Sequence, residues 1–331
     1  MSEPSLAIAA IRPRSALPGT IFEPDDGPAF RTNYNKAPFK FRHALGEHPL
    51  FAIDRLVNLC SFMERQPLKE RVIHFTDEAA VTAGWRRSNS GNWTAADALA
   101  NIRDSHSWVL IKDIQRHPDY AELPDLFIDE ISRMTEQPMR SEITWMDTYL
   151  FIASPEMITP YHIDHECNFL LQIHGEKSAH VFPCDDRSIL KDEEIEAYYI
   201  GNLNAAQYRE VNESKAFNVR LRPGIGVHQP PLAPHWVKNG SDYSVSLSFL
   251  YFLRGFDRRA KIYQVNRMLR SLGMKPTPPG QSRFKDAVKS SFLSDFGYRA
   301  QQKEDVVRHA FRRMTAPLRL CRDLTRKSRA R

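Results

Sequence analysis

The sequence predicts a mainly β core, an antiparallel sandwich or barrel, between an N-terminal α/β lobe and C-terminal helices. Short apolar or β-branched runs separated by turn residues fill residues 141–255. Apolar residues at helical spacing mark segments before this region and return after Gly255. We therefore divide the 331 residues into four parts: a loosely ordered arm (1–40), the α/β lobe (41–140), the β core (141–255) and a basic helical region (256–331).

Composition excludes several other classes of protein. The hydrophobic fraction of 42% is enough for a sizeable core, and the charged fraction of 26% is ordinary for a soluble chain. No run reaches the roughly 18 consecutive apolar residues of a membrane span, and the start of the sequence lacks the pattern of a secretory signal. We expect a cytoplasmic protein whose cysteines are free thiols, although Cys167 and Cys184 could meet across a hairpin.

Charge is distributed unevenly along the chain. The whole chain carries 46 basic and 40 acidic residues, a net charge of +6. From Arg254 to Arg331 there are 21 basic and 6 acidic residues, or +15, so residues 1–253 carry −9. The protein is therefore predicted to have an acidic body and a basic C-terminal region.

Periodicity and turn residues predict the elements of the lobe and of the core. In the lobe we expect helices at 49–63, 95–103 and 123–134 and a strand at 107–113. In the core we expect strands at 144–153, around Tyr161, at 168–174, 177–182 and 216–221, around Val227, and at 235–238 and 243–252. Residues 185–216 are acidic and polar, and should form an insertion with a helical turn at 192–199.

Two residues in the β core have the spacing of metal ligands. His162 and Asp164 are two positions apart, which places both side chains on one face of a strand. An imidazole and a carboxylate are two of the three ligands of the facial triad that binds non-haem Fe(II), and His235 is the candidate for the third. A His-x-Asp triplet alone occurs often by chance. The ordered set of triplet, glycine hairpin, Lys177 and distal histidine is what favours a metal site.

The region from Thr159 to Pro183 resembles the JmjC/cupin-like Fe(II)- and 2-oxoglutarate-dependent oxygenases, and among these the factor-inhibiting-HIF type of protein hydroxylase. After the His-x-Asp triplet, these residues follow in the family's order: Asn168-Phe169, Gln172-Ile173, Gly175, Lys177 and Phe182-Pro183. The resemblance extends more weakly through 223–251 and into the C-terminal helices. It implies a double-stranded β-helix (cupin or jelly-roll) core, with Fe(II) as cofactor and 2-oxoglutarate as co-substrate.

The resemblance also implies roles for individual residues. The metal ligands would be His162, Asp164 and His235. Lys177 would pair with the distal carboxylate of 2-oxoglutarate, Thr159 would donate a hydrogen bond to the same carboxylate, and Asn168 would lie near the metal-binding end of the co-substrate.

Two positions depart from the family pattern. A family Tyr that contacts 2-oxoglutarate has no clear equivalent, because the matching strand reads Trp-Val-Leu-Ile. A family Asn on the last strand appears here as Ser248, which we place in the co-substrate site. Four further residues are expected to line the substrate mouth or to support the ligands from behind: Tyr161, His165, Glu166 and His228.

The C-terminal region contains three apolar stripes, at 262–272, 284–296 and 306–314. In the similar hydroxylases the C-terminal helices form a homodimer, so the resemblance implies a dimer with contributions from Ile262, Leu269, Phe284 and Phe292. Residues 308–331 hold 9 basic residues and one acid, and could contact nucleic acid or an anionic membrane. A solvated basic face is an equally good interpretation.

The sequence thus predicts an enzyme, a dioxygenase that uses 2-oxoglutarate and O₂ to hydroxylate a protein side chain or a small metabolite. Two alternatives stay open. One is a non-catalytic cupin-like protein that binds a ligand or regulates transcription. The other is a metal-binding cupin that does not use 2-oxoglutarate, which Ser248 and the missing Tyr leave open.

Overall fold

Residues 17–66, 71–76, 80–84 and 93–292 are described by the computed structural model of the chain. Their strands are β1 (Phe39–Arg42), β2 (Val72–Phe75), β3 (Trp108–Ile111), β4 (Ile143–Ala153), β5 (Ile158–His162), β6 (Cys167–His174), β7 (Lys177–Val181), β8 (Phe217–Leu221), β9 (Ile225–Gln229), β10 (His235–Asn239) and β11 (Ser244–Leu253). Their α-helices are α1 (Gly27–Asn33), α2 (Ile53–Glu64), α3 (Ala95–Ala100), α4 (Leu123–Thr135), α5 (Met139–Glu142), α6 (Asp192–Tyr199), α7 (Arg254–Ser271) and α8 (Arg283–Phe292).

The strands form two antiparallel sheets with an interleaved order. The large sheet runs β1-β9-β6-β11-β4-β3-β2, and the small sheet runs β5-β10-β7-β8. From β4 to β11 the chain therefore passes back and forth between four strands of each sheet, which is the jelly-roll order of a double-stranded β-helix. The predicted fold class is confirmed.

A tight hairpin places Lys177 at the start of β7. Gly175 joins β6 to β7 with a positive φ of +69°, and a Cβ at this position would lie 2.1 Å from the backbone oxygen of Tyr243. Only glycine fits there without a backbone shift. The hairpin thus fixes the point at which the chain crosses to the small sheet.

One apolar core joins the N-terminal residues, the helices and the outer face of the large sheet. It extends from Ile21 to Tyr251, and Phe127 of α4 stacks on Phe249 of β11 with ring centroids 4.2 Å apart. Because this core crosses the predicted limits of arm, lobe and β core, the boundaries that we assigned from sequence stay predictions. No helix among the described residues is long and apolar enough to cross a membrane.

The predicted N-terminal arm packs against the fold where the structure describes it. Residues 17–40 include α1 and the first residues of β1, and Phe22 and Phe30 are fully buried. These aromatic side chains pack on Phe169 of β6, at centroid distances of 5.7 and 5.6 Å. Tertiary packing orders this segment, and its short elements leave no period in the sequence for prediction to use.

The C-terminal helices only partly match the predicted dimer surface. Ile262 is buried within its own chain, so it does not present a surface to a partner. Leu269 is half-buried, and Phe284 on α8 is 79% exposed. The third stripe, the side chain of Phe292 and the basic tail at 308–331 lie outside the residues that the structure describes. Cys60, Cys167 and Cys184 are free thiols, as expected.

His228 lies on the outer face of the large sheet, behind the cavity wall and not at the substrate mouth. On β9 it alternates with Gln229, so its side chain faces away from the cavity. Its ring centroid lies 4.4 Å from that of Phe169. Its Nδ1 donates to the carbonyl of Asn168 at 3.1 Å, and its Nε2 accepts from the backbone N–H of Asn35 at 3.2 Å. Because Nε2 accepts a hydrogen bond, the two bonds together require a neutral imidazole, and burial lowers its pKa to about 3.

Acid should therefore destabilise the fold through His228. The unfolded chain binds a proton at this residue below about pH 6.5, and the folded chain does not until about pH 3. The free energy of unfolding should fall on acidification across this window, by up to about 1.4 kcal/mol per pH unit for one proton. In denaturant titrations at several pH values, the slope of the free energy of unfolding against pH should be smaller in H228Q by the amount that one proton contributes. The exposed-site control H106N should keep it, and an unchanged slope in H228Q would contradict the assignment.

Candidate metal centre and co-substrate pocket

Antiparallel pairing brings the three predicted metal ligands together. His162 is the last residue of β5, and Asp164 follows two residues later. His235 is the first residue of β10, and it pairs directly with His162 in the register of the two strands. The remote histidine is thus brought to the triplet by the ladder between β5 and β10.

The ligand atoms of the three residues all lie within 4.8 Å of one another. The Nε2 atoms of His162 and His235 are each 3.6 Å from Oδ2 of Asp164, and the two imidazole centroids are 4.1 Å apart. Ligands held about 2.1 Å from one ion at right angles would be about 3 Å apart, so a small contraction would complete such a site.

Backbone carbonyls fix the tautomer of both histidines. Nδ1 of His162 lies 2.7 Å from the carbonyl oxygen of Pro160, and Nδ1 of His235 lies 2.9 Å from that of Ala233. Because a carbonyl only accepts, each Nδ1 carries a proton, and in the neutral ring Nε2 is then the atom whose lone pair can bind a metal. This is the arrangement in which protein histidines bind metals, and with one carboxylate it forms the donor set of a facial triad.

A cavity of about 450 Å³ opens between the two sheets beside the triad. The triad residues line it, as do Thr159, Asn168 and Lys177 of the predicted co-substrate site and Glu166 of the predicted mouth. The structure therefore brings the predicted polar residues into one chamber with the three candidate ligands.

Lys177 supplies a buried cation to this cavity. Its side chain is 7% exposed, and burial alone lowers its pKa to about 7. Among the described residues, no carboxylate forms an ion pair with its amine. A buried ammonium without a counter-ion is unfavourable, so the site is suited to an anion.

Three predicted site residues lie elsewhere. Tyr161 has the opposite parity to His162, and its ring packs on Phe182 outside the barrel at a centroid distance of 5.5 Å. His165 turns from the cavity to Tyr199, with its Nδ1 2.6 Å from the hydroxyl. Ser248 shares the inner face of β11, but its small side chain does not line the cavity, and its buried hydroxyl has no hydrogen-bond partner among the described residues.

Sequence reasoning missed several wall residues. Gln229 of β9 and Tyr149 of β4 line the cavity, and so do Trp108 and Lys112 on β3 and just after it. Strand parity could have found Gln229, because it alternates with His228. The others come from strands of the large sheet whose pairing is not visible in the sequence.

The fold and the site define a class: a double-stranded β-helix with two histidines and one aspartate at the mouth of the barrel. No family model matches the chain. A curated relative, the HSPB1-associated protein 1 homolog of Danio rerio, is 25% identical over an alignment of 179 residues that covers 47% of this chain and 38% of that protein. The match thus spans well under half of that relative's length.

Among solved structures, an X-ray structure of E. coli YcfD is 16% identical, with a TM-score of 0.49, covering 90% of this chain and 68% of that one. A second structure, of YcfD as a ribosomal oxygenase with cobalt and 2-oxoglutarate, is 16% identical with a TM-score of 0.47 and the same coverage of 90% and 68%.

Removing either of two candidate ligands should strongly weaken metal binding. In calorimetric titrations with Mn(II), H235A and D164A should bind at least about 100-fold more weakly than the wild-type chain, because each removes one of three donors. The control H174A removes a histidine that lies at the hairpin and contacts Glu47, and it should bind normally. Metal binding retained in both ligand variants would contradict the assignment.

Proposed function

We propose that the chain is an Fe(II)- and 2-oxoglutarate-dependent oxygenase that hydroxylates its substrate. Fe(II), 2-oxoglutarate and O₂ together supply the oxidising power to convert a substrate C–H bond into C–OH, with succinate and CO₂ as products. The protein would supply the ligand geometry and position the two organic molecules.

One observation carries the proposal: a buried lysine without a counter-ion shares a cavity with a facial-triad donor set. A dicarboxylic keto acid fits these two features at once, because its keto-acid end can chelate a metal and its other end needs a cation. Lys177 is suited to that second role as a compact point charge.

The chain's own residues would divide the work. Lys177 and Thr159 would hold the distal carboxylate deep in the barrel, and Asn168 would meet the other end. The Oδ1 of Asn168 is buried with no hydrogen-bond partner among the described residues, so the amide of this residue has hydrogen-bonding capacity left for a ligand or water. Glu166 would line the mouth through which the substrate enters.

The wall beyond the triad supports a substrate with a bulky apolar group. Inner-face residues of β2–β4, among them Ile73, Leu110 and Phe151, continue the cavity past the edge of the small sheet. The ring centroids of Trp108 and Phe151 lie 5.6 Å apart in this wall. An apolar protein side chain or an apolar metabolite fits it better than a small polar metabolite.

The burial of Lys177 disfavours the alternative of a metal-binding cupin that does not use 2-oxoglutarate, because such a protein would have no anion to pair with the buried amine. The non-catalytic regulator depends on the basic tail, which lies outside the described residues. Succinate formation that requires Fe(II) would support the enzyme. DNA binding with a steep dependence on salt, lost on deletion of 308–331, would support the regulator.

Binding of 2-oxoglutarate should weaken as the pH rises. The anion needs the protonated amine of Lys177, whose pKa is about 7 before binding. In titrations of 2-oxoglutarate into Mn(II)-loaded protein, affinity should fall about 25-fold from pH 6.5 to 8.5. K177M should bind at least about 100-fold more weakly. K177R, whose charge persists at every pH used, should show a flat profile. A flat profile for the wild-type chain would contradict the role of Lys177.

A homodimer through α7 and α8 is a further part of the proposal. Phe284 and Val288 are 79% and 56% exposed one turn apart on α8, and Leu272 and Met274 nearby are 73% and 54% exposed. Exposed apolar side chains grouped in this way are typical of interaction surfaces.

Charge on this surface should break the dimer. By light scattering at micromolar concentration, the wild-type chain should have the mass of a dimer, and F284D/V288D that of a monomer, because two carboxylates would be buried unpaired. The control V211D changes an apolar residue that is 83% exposed on the insertion, and it should remain dimeric. A monomeric wild-type chain would refute the prediction.

A further inference from the structure

Two amide side chains form a pair in the wall of the cavity. Asn168 of β6 and Gln229 of β9 are directly opposite in the register of the large sheet, and both line the cavity. Nδ2 of Asn168 donates to Oε1 of Gln229 at 2.7 Å. The Gln229 side chain therefore decides which end of the Asn168 amide remains for a ligand.

The backbone of Asn168 is held from outside the barrel. His228 donates to its carbonyl at 3.1 Å, and Asn168 pairs with Gln229 of β9 on one side and with Leu250 of β11 on the other. The side-chain amide is therefore the part of Asn168 that can reorient. In the arrangement observed, its Oδ1 is buried and unsatisfied among the described residues, and an acceptor is the wrong group to meet a carboxylate.

A concerted rotation of both amides reverses the pair. Gln229 would then donate from Nε2 to Oδ1 of Asn168, and Nδ2 of Asn168 would face the cavity as a donor. The two arrangements have nearly the same shape and one hydrogen bond each, and the oxygen and nitrogen of an amide exchange places. A bound carboxylate favours the second arrangement, since it satisfies both ends of the Asn168 amide.

We propose that Gln229 is a positioning residue that holds the Asn168 amide as a donor toward the metal-binding end of 2-oxoglutarate. The inference rests on the proposed function. A side chain that both donates and accepts can stabilise either arrangement, and glutamine at this position does both. Glutamate only accepts when ionised, and it holds Asn168 in the arrangement that presents an oxygen to the carboxylate.

The test is a double-mutant cycle on the full chain loaded with Mn(II), with 2-oxoglutarate titrated by calorimetry at pH 7. Q229E should weaken 2-oxoglutarate binding at least tenfold, and Q229L about threefold. Mn(II) affinity and the melting temperature should stay near the wild-type values, a split that a merely structural role would not produce. In the N168L background, the same Q229E change should cost less than twofold, because its effect acts through Asn168.

The outcomes separate this inference from the proposed function. If the wild-type chain binds Mn(II) but not 2-oxoglutarate, both are overturned. If the wild-type chain binds 2-oxoglutarate and Q229E binds within twofold of it, the role of Gln229 is overturned and the proposed function stands. An equal cost of Q229E with and without Asn168 would show direct charge repulsion, and would also overturn the role of Gln229.

Discussion

The candidate site depends on the pairing of two short strands. His235 is far from His162 in sequence, and the β5–β10 ladder places them opposite each other. The register is fixed by burial, because a shift of one residue would turn His235 out of the barrel and Trp236 into it. Each Nδ1 meets the carbonyl of the residue two positions earlier, so the local backbone sets the tautomer of each histidine and the strand pairing sets its position.

The interior of the barrel combines two features that a folded chain seldom keeps without a use. One is the cluster of two imidazoles and a carboxylate, and the other is the buried amine of Lys177. The second costs stability through desolvation. The hairpin at Gly175 fixes the second at the start of β7, on the small sheet that also carries His162 and His235.

Features that depend on local spacing could be predicted from the sequence, whereas features that depend on the order of the strands in the sheets could not. Period-2 patterns and turns located the strands of the core within a residue or two, and spacing selected His162 and Asp164. The packing of the arm was not visible in the sequence, because Phe22 and Phe30 are buried by residues remote in sequence. Tyr161 and His228 do not line the cavity, because strand parity turns both side chains away from it.

His228 links the arm to the cavity. Asn35, just after α1, donates to His228, and His228 donates to the carbonyl of Asn168, whose side chain reaches Gln229 in the cavity wall. The three hydrogen bonds cross the large sheet from its outer to its inner face. The arm therefore does more than cover apolar surface: by fixing the backbone of Asn168, it leaves the amide of that residue as the part of this wall that a ligand can reorient.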